Sequence, residues 1–221
     1  MQQTHLDREM AHLKESLLRL TFLVEENVIL ATDSFREMDT EGAKRAIDKD
    51  EEIDQMEIKV EEECLKMLAL YQPVARNLRT IVTILKINND LERIGDLAVN
   101  IAKCSLFLNQ QPKMDTHFHF STMIDKTRCM LKKSLECMIH FDAPLAYDVM
   151  HMDDEVDAIK KEQETMITDY TTNHPQYAGG MIRFLSVSRY LERIADHATN
   201  IAEDIIYSVN GDIIRHHFSK S

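Results

Sequence analysis

An all-α protein, built as two tandem three-helix bundles related by internal pseudo-two-fold symmetry, is what this chain predicts. Three observations predict it. Glycine and proline are scarce, five and four in 221 residues, which leaves few places for turns. Apolar residues recur at helical spacing through most of the sequence. A twelve-residue stretch also occurs twice, as residues 91–102 and 191–202, with nine of twelve letters identical at a constant offset of 100. A repeat of that length and period marks the duplication of one unit.

Helix breaks are set by Pro73, Pro112, Pro144 and Pro175, each lying between periodic stretches, and by a turn with an N-cap near Asp39-Thr40-Glu41-Gly42. Six helices follow, at about 5–38, 41–71, 74–109, 116–141, 144–172 and 177–210. The second carries the apolar stripe Ile53, Met56, Val60, Cys64 and Met67. The third carries Ile84, Ile87, Leu91, Ile94, Ala98 and Ile101, and the fifth Val156, Ile159, Met166 and Tyr170. These are core stripes, and the thirteen methionines read as core filler. Long helices on short loops pack antiparallel. Gln110-Gln111-Pro112 separates three helices from three, giving a first repeat over 1–110, a second over 113–212 and a tail over 213–221.

Composition narrows the function. With 44% apolar and 29% charged residues the chain is ordinary globular material. A formal charge of −12 repels nucleic acid and anionic lipid, and favours cations or basic protein surfaces. Cys64, Cys104, Cys129 and Cys137 form no Cys-x-x-Cys pair and read as buried or half-buried thiols in a reducing compartment. The first residues lack a signal-peptide pattern, and no apolar run approaches the roughly 18 residues that span a bilayer. A cytoplasmic protein is expected.

Chemistry concentrates in four acid-x-x-x-Asp pairs: Asp50/Asp54, Glu92/Asp96, Asp153/Asp157 and Glu192/Asp196. Each half contributes one pair from its second helix and one from its third. Asn100 and Asn200 add an amide oxygen one turn beyond the third-helix pairs. Like charges at i, i+4 cost a helix roughly 0.2–0.5 kcal/mol per pair, so four pairs cost about 1–2 kcal/mol. A bound cation removes that cost, and all-oxygen donors suit Mg, Mn, Ca or iron better than zinc or copper. The competing reading is a solvated face neutralised by Lys or Arg. Glu92, Asp96 and Asn100 do lie opposite the apolar stripe, so any site is shallow. Recurrence of the acids and Asn, while their neighbours differ, favours the cation.

Other recurring or isolated groups are read more plainly. Arg93 and Arg193 are expected to pair with acids on an adjacent helix. His197 beside Asp196 is a weaker ligand candidate, since Leu97 replaces it in the first copy. His117, His119, His216 and His217 read as loop and tail residues. Lys103 stands where the second copy has Glu203, so the two rows need not be equal. A di-iron carboxylate enzyme needs two Glu-x-x-His motifs. The chain offers one, Glu9 to His12. No glycine-rich phosphate loop or nucleophile triad is legible.

The chain resembles the PhoU family. The likeness rests on Gln72-Pro73-Val74-Ala75-Arg76-Asn77-Leu78-Arg79, on Asp90 through Asp96, on Leu191 through Asp196, and on Ile205-Ile206-Tyr207 with Arg215-His216. It implies two three-helix repeats, often assembled as dimers or larger oligomers. It implies metal ions, divalent or trivalent (iron, manganese, magnesium or zinc), on Asp50, Asp54, Glu92, Asp96, Asp153, Asp157, Glu192 and Asp196, with Asn100 and Asn200 secondary. It implies a non-enzymatic regulator that restrains phosphate uptake and starvation signalling through the phosphate ABC transporter and a sensor histidine kinase, touching the membrane only through those partners. One departure is Asn77, where the family commonly has Asp.

Overall fold

A computed structural model describes residues 5–112, 118 and 120–211, and among them every regular element is helical. The order is α1 (His5–Glu37), α2 (Thr40–Asp48), α3 (Asp50–Tyr71), α4 (Ala75–Leu108), α5 (Phe120–His140), α6 (Ala143–Asn173) and α7 (Ala178–Asn210), with one 3-10 turn (Pro175–Tyr177) before α7. The expected tail 213–221, with Arg215, His216 and His217, lies outside the described residues, as do His117 and His119.

Boundaries follow the expected punctuation. Asp39 caps α2, its carboxylate accepting from the Glu41 N–H at 3.0 Å. A Cβ at Gly42 would meet that carboxylate at 2.5 Å, so the cap requires glycine there. Asp142 caps α6 in the same manner, accepting from Leu145 N–H at 3.0 Å beside Pro144.

One expectation fails. The second helix is not continuous: it breaks at Lys49 into α2 and α3. No proline or glycine marks the break, and the apolar stripe runs through it. Asp50, Glu51 and Glu52 fill the first turn of the new helix, where the positive end of the helix dipole favours carboxylates. The Lys49 ammonium pairs with Glu26 on α1. The corresponding α6 runs unbroken, with Asp153 in its interior.

Helices α1–α4 pack on one another as one bundle and α5–α7 as another, while α4 against α7 forms the most extensive contact in the molecule. Leu91, Ile94, Ala98 and Ile101 of α4, and Leu191, Ile194, Ala198 and Ile201 of α7, are all fully buried. Polar clasps flank this seam. Lys86 of α4 reaches the buried Asp204 of α7 at 3.2 Å. Asp90 accepts from His197 at 2.7 Å and from Asn200 at 3.3 Å. Between α5 and α1, Arg128 contacts Asp33 at 2.8 Å and the Ile29 carbonyl at 2.8 Å. Phe35, Phe118, Phe120 and Phe184 close one end as an edge-to-face cluster.

Within each repeat the approach of the second helix to the third depends on small residues. A Cβ on Gly95 of α4 would lie 3.2 Å from Ile53 Cγ2 of α3. In the second repeat the corresponding residues are Val156 and Ala195, both buried. One side chain is a methylene smaller and the other a methyl larger, so the swap conserves volume. The nearer contact is with Cγ2, which valine keeps and alanine lacks, so Gly95→Ala should be better tolerated in an Ile53→Ala background than alone, by about 0.5–1.5 kcal/mol in a double-mutant cycle read by urea unfolding. Zero coupling would show that this contact does not limit the spacing.

Candidate metal-binding rows

The contact of α3 with α4 places Asp50 and Asp54 across from Glu92 and Asp96. Their charges act on one another. Burial pushes the Asp50 carboxyl above its ordinary range, reinforced by Asp54 and by Asp96 on the other helix, with Lys103 opposing. Burial likewise raises Glu92, reinforced by Asp96, Asp54 and Asp50, with Arg93 opposing. In the second repeat, burial and then Asp196 and Asp157 push Asp153 up to about 6. Asp196 is raised by crowding against the protein, then by Glu192 and Asp157, with His197 and Arg193 opposing. In each repeat the two predicted acid pairs thus lie close enough to act on one another.

Several details differ from expectation. Arg93 pairs with Glu92 at 3.2 Å and Asp96 at 3.3 Å, acids of its own helix and not of an adjacent one. Arg193 acts on Asp196, again on its own helix. His197 and Asn200 turn away from the second row onto Asp90 across the seam. The cause is helical drift: each step of four residues overshoots a full turn by about 40°, so Asn200 is swung by about 80° from Glu192. The Asn100 side chain makes no hydrogen bond among the described residues. Cys64, Cys104 and Cys137 are buried, with the Cys64 and Cys137 thiols pushed up to about 12 by burial, while Cys129 is exposed, contrary to expectation.

Two participants escaped the sequence reading. Glu57, seven residues after Asp50, extends the first row. Burial raises its carboxyl, as do Glu61, Glu92 and Asp54, while Asn88 Nδ2 donates to it at 2.6 Å. The corresponding residue on α6 is Lys160, which pairs with Glu192 at 3.3 Å and Glu164 at 3.6 Å. The signal was available in the spacing of seven, which stays on one helical face.

The donor chemistry fits a hard cation: every contributor is a carboxylate. Glu92 Oε2 is buried without a hydrogen bond, although Arg93 Nε lies 3.2 Å away. Asp50, Asp54, Asp153 and Asp157 have no Lys or Arg within 4 Å among the described residues. The grooves are not closed cages, however. Among the described residues no three His, Cys, Asp or Glu side chains converge on one point that could hold an ion. The di-iron arrangement finds no support either, since Glu9 lies 3.7 Å from His5 and His12 is exposed at the start of α1.

A carboxyl whose folded pKa exceeds its unfolded value binds more protons in the fold. Its contribution to stability is complete below the ordinary aspartate range and is lost as pH rises through about 6 for Asp153. Metal-free protein should therefore lose on the order of 1–2 kcal/mol between about pH 4 and pH 7 relative to Asp153→Asn. Urea midpoints of both proteins across that range test this, and a difference that grows toward low pH would contradict it.

Comparison with known proteins adds the family. The PhoU domain matches this chain twice, over residues 17–105 and 120–205. A phosphate-specific transport system accessory protein PhoU homologue of Aquifex aeolicus is 35% identical over 97% of this chain and 97% of its own. PhoU homologue 1 of Thermotoga maritima is 32% identical over 94% of this chain and 90% of its own. The crystal structure of PhoU from Pseudomonas aeruginosa superposes with a TM-score of 0.92 at 32% identity, covering 94% of this chain and 100% of that one. That of the phosphate transport system regulatory protein PhoU from Streptococcus pneumoniae gives 0.83 at 27% identity, covering 95% and 99%. The duplicated domain match and the full-length similarity agree, and this chain belongs to the PhoU family.

Proposed function

We infer that this protein regulates phosphate uptake and phosphate-starvation signalling, through metal-dependent contacts with the phosphate ABC transporter and a sensor histidine kinase. The observation that carries the reading is full-length similarity to proteins named as accessory or regulatory components of phosphate transport. The repeats, over 1–110 and 113–212, each carry one acidic row. Asp50, Asp54, Glu92 and Asp96 hold metal in the first, and Asp153, Asp157, Glu192 and Asp196 in the second, with Asn100 and Asn200 as outlying donors. Glu57 joins the first set. Bound metal neutralises like-charge repulsion and presents positive charge to a partner. The role is regulatory and not catalytic. A cytoplasmic location and assembly into homodimers or larger oligomers complete the reading. It is compatible with the absence, among the described residues, of any helix long and apolar enough to cross a membrane.

A second reading, a helical adaptor without essential metal, draws on one specific observation. Arg93 and Lys160 already pair with Glu92, Asp96 and Glu192. Elemental analysis decides between them. Untagged protein purified without chelator should carry at least one tightly held metal per row, and Asp96→Asn with Asp196→Asn should remove most of it. Capture of the transporter's ATPase subunit and of the kinase's cytoplasmic portion should weaken in the same variant. Unchanged metal content would refute the site assignment, whereas metal loss with intact capture would favour the adaptor.

A further inference from the structure

The acidic rows leave unexplained a cavity of about 940 Å³ at the opposite charge extreme. It opens where the start of α1, the start of α4, the turn between α5 and α6 and the end of α7 meet. Lys14, Arg76, Arg79 and His140 line it, and Asp7 is the one acidic lining residue among those described. In a chain of net charge −12, four basic side chains around one opening are a concentrated exception.

These basic side chains lack neutralisation among the described residues. Lys14, Arg76, Arg79 and His140 have no carboxylate within 4 Å among the described residues. The Lys14 ammonium lies over the Phe141 ring at 5.1 Å. Arg79 Nε is buried with no hydrogen-bond partner. Its guanidinium packs beside Gly211, where a Cβ would come within 3.1 Å of Nη1. Gly211 is also the left-handed cap of α7, at φ 82, so glycine serves both the cap and the arginine.

Helix electrostatics sharpen the point. Arg76 lies in the first turn of α4 and Arg79 one turn further, with no acid in the first turn and no side-chain cap from Val74. Cations at a helix N-terminus oppose its dipole, and uncapped N–H groups there seek an anion. The second repeat has no such pair at the equivalent offset: Gln176 of the 3-10 turn and Gly179 of α7 stand one hundred residues after Arg76 and Arg79. The feature is single, unlike the duplicated rows.

We propose that this cavity binds a phosphate-bearing small molecule with two or more negative charges, held by Arg79, Arg76, Lys14 and His140. Arginine forks match phosphate oxygens in paired hydrogen bonds. The volume exceeds that of orthophosphate and lies within the range of organic ligand pockets. Met10, Phe141 and Val209 give part of the lining an apolar face for a carbon skeleton. The inference does not depend on the metal rows.

The test is calorimetry on the full chain in chelator, with orthophosphate, tripolyphosphate and ATP as separate probes. Chelator removes any anion binding through metal. One-to-one binding of tripolyphosphate or ATP is expected, tighter than that of orthophosphate. Equal affinity for the two would show that the phosphate chain alone is read, and tighter ATP that the apolar face contributes. Arg79→Gln should weaken binding by at least about tenfold. The exposed Arg76→Gln, which cannot disturb the core, should weaken it too, and Asp96→Asn should leave it intact. The proposal is overturned by no saturable binding of any probe. It is equally overturned by affinity unchanged in both arginine variants or by loss of binding in Asp96→Asn.

Discussion

The contact of Ile53 with Gly95 governs the rest of this structure, because it fixes how closely two acidic helices lie. Ile53 sits between Asp50 and Asp54 on α3, and Gly95 between Glu92 and Asp96 on α4. A Cβ at 95 would meet Ile53 at 3.2 Å, so the backbone of α4 approaches as near as packing allows. Burying a large aliphatic side chain stabilises the fold by about 1.5–3 kcal/mol. Two i, i+4 acid pairs oppose it by about 0.4–1 kcal/mol. Apolar burial therefore wins and holds the carboxylates together against their repulsion. The raised carboxyls of Asp50, Glu57 and Glu92 express that balance.

The second repeat meets the same constraint with different atoms. Val156 and Ala195 stand where Ile53 and Gly95 do, and the acids around them are again raised, Asp153 to about 6. The charged surroundings are inverted end for end. At one end the first row has Glu57 and the second Lys160; at the other the first has Lys103 and the second Glu203. Lys103 acts on Asp50 in the first row, whereas Lys160 pairs with Glu192 in the second, so the two rows carry their lysines at different places.

Much of this was legible in one dimension. Apolar periodicity and four prolines placed six helical stretches, since a helix long enough to show several turns of stripe leaves little ambiguity. The acid pairs were legible because spacing of four and a repeat of one hundred are both linear properties. What stayed hidden was set by three-dimensional contact. The break at Lys49 carries no proline or glycine, and its cause, three carboxylates at a new helix start, looks in sequence like part of the acidic run. Arg93 was assigned a partner on a neighbouring helix, yet its own Glu92 and Asp96 lie nearer. His197 and Asn200 belong to the seam because α7 meets α4 there, a pairing of residues more than one hundred positions apart. The basic cavity draws on four separated segments, and only Arg76 and Arg79 among its cations share a motif.

The molecule therefore separates charge. Carboxylates line the outer grooves of both bundles, where helix packing forces them together. Basic side chains with no carboxylate within 4 Å among the described residues gather at one end, where two arginines sit against the dipole of α4. Each arrangement costs folding energy that the long α4–α7 seam and its flanking cores supply. Neither improves the stability of the isolated chain, because pairing Asp50 with a lysine, or Arg79 with an aspartate, would do that better. Surface electrostatics held against the interest of folding, at two places and with opposite sign, are the ground on which both the cation rows and the anion cavity are proposed. The cation row proposed for the first repeat and the proposed anion cavity share one element. That element is α4, which carries Arg76 and Arg79 at its start and Glu92 and Asp96 near its middle.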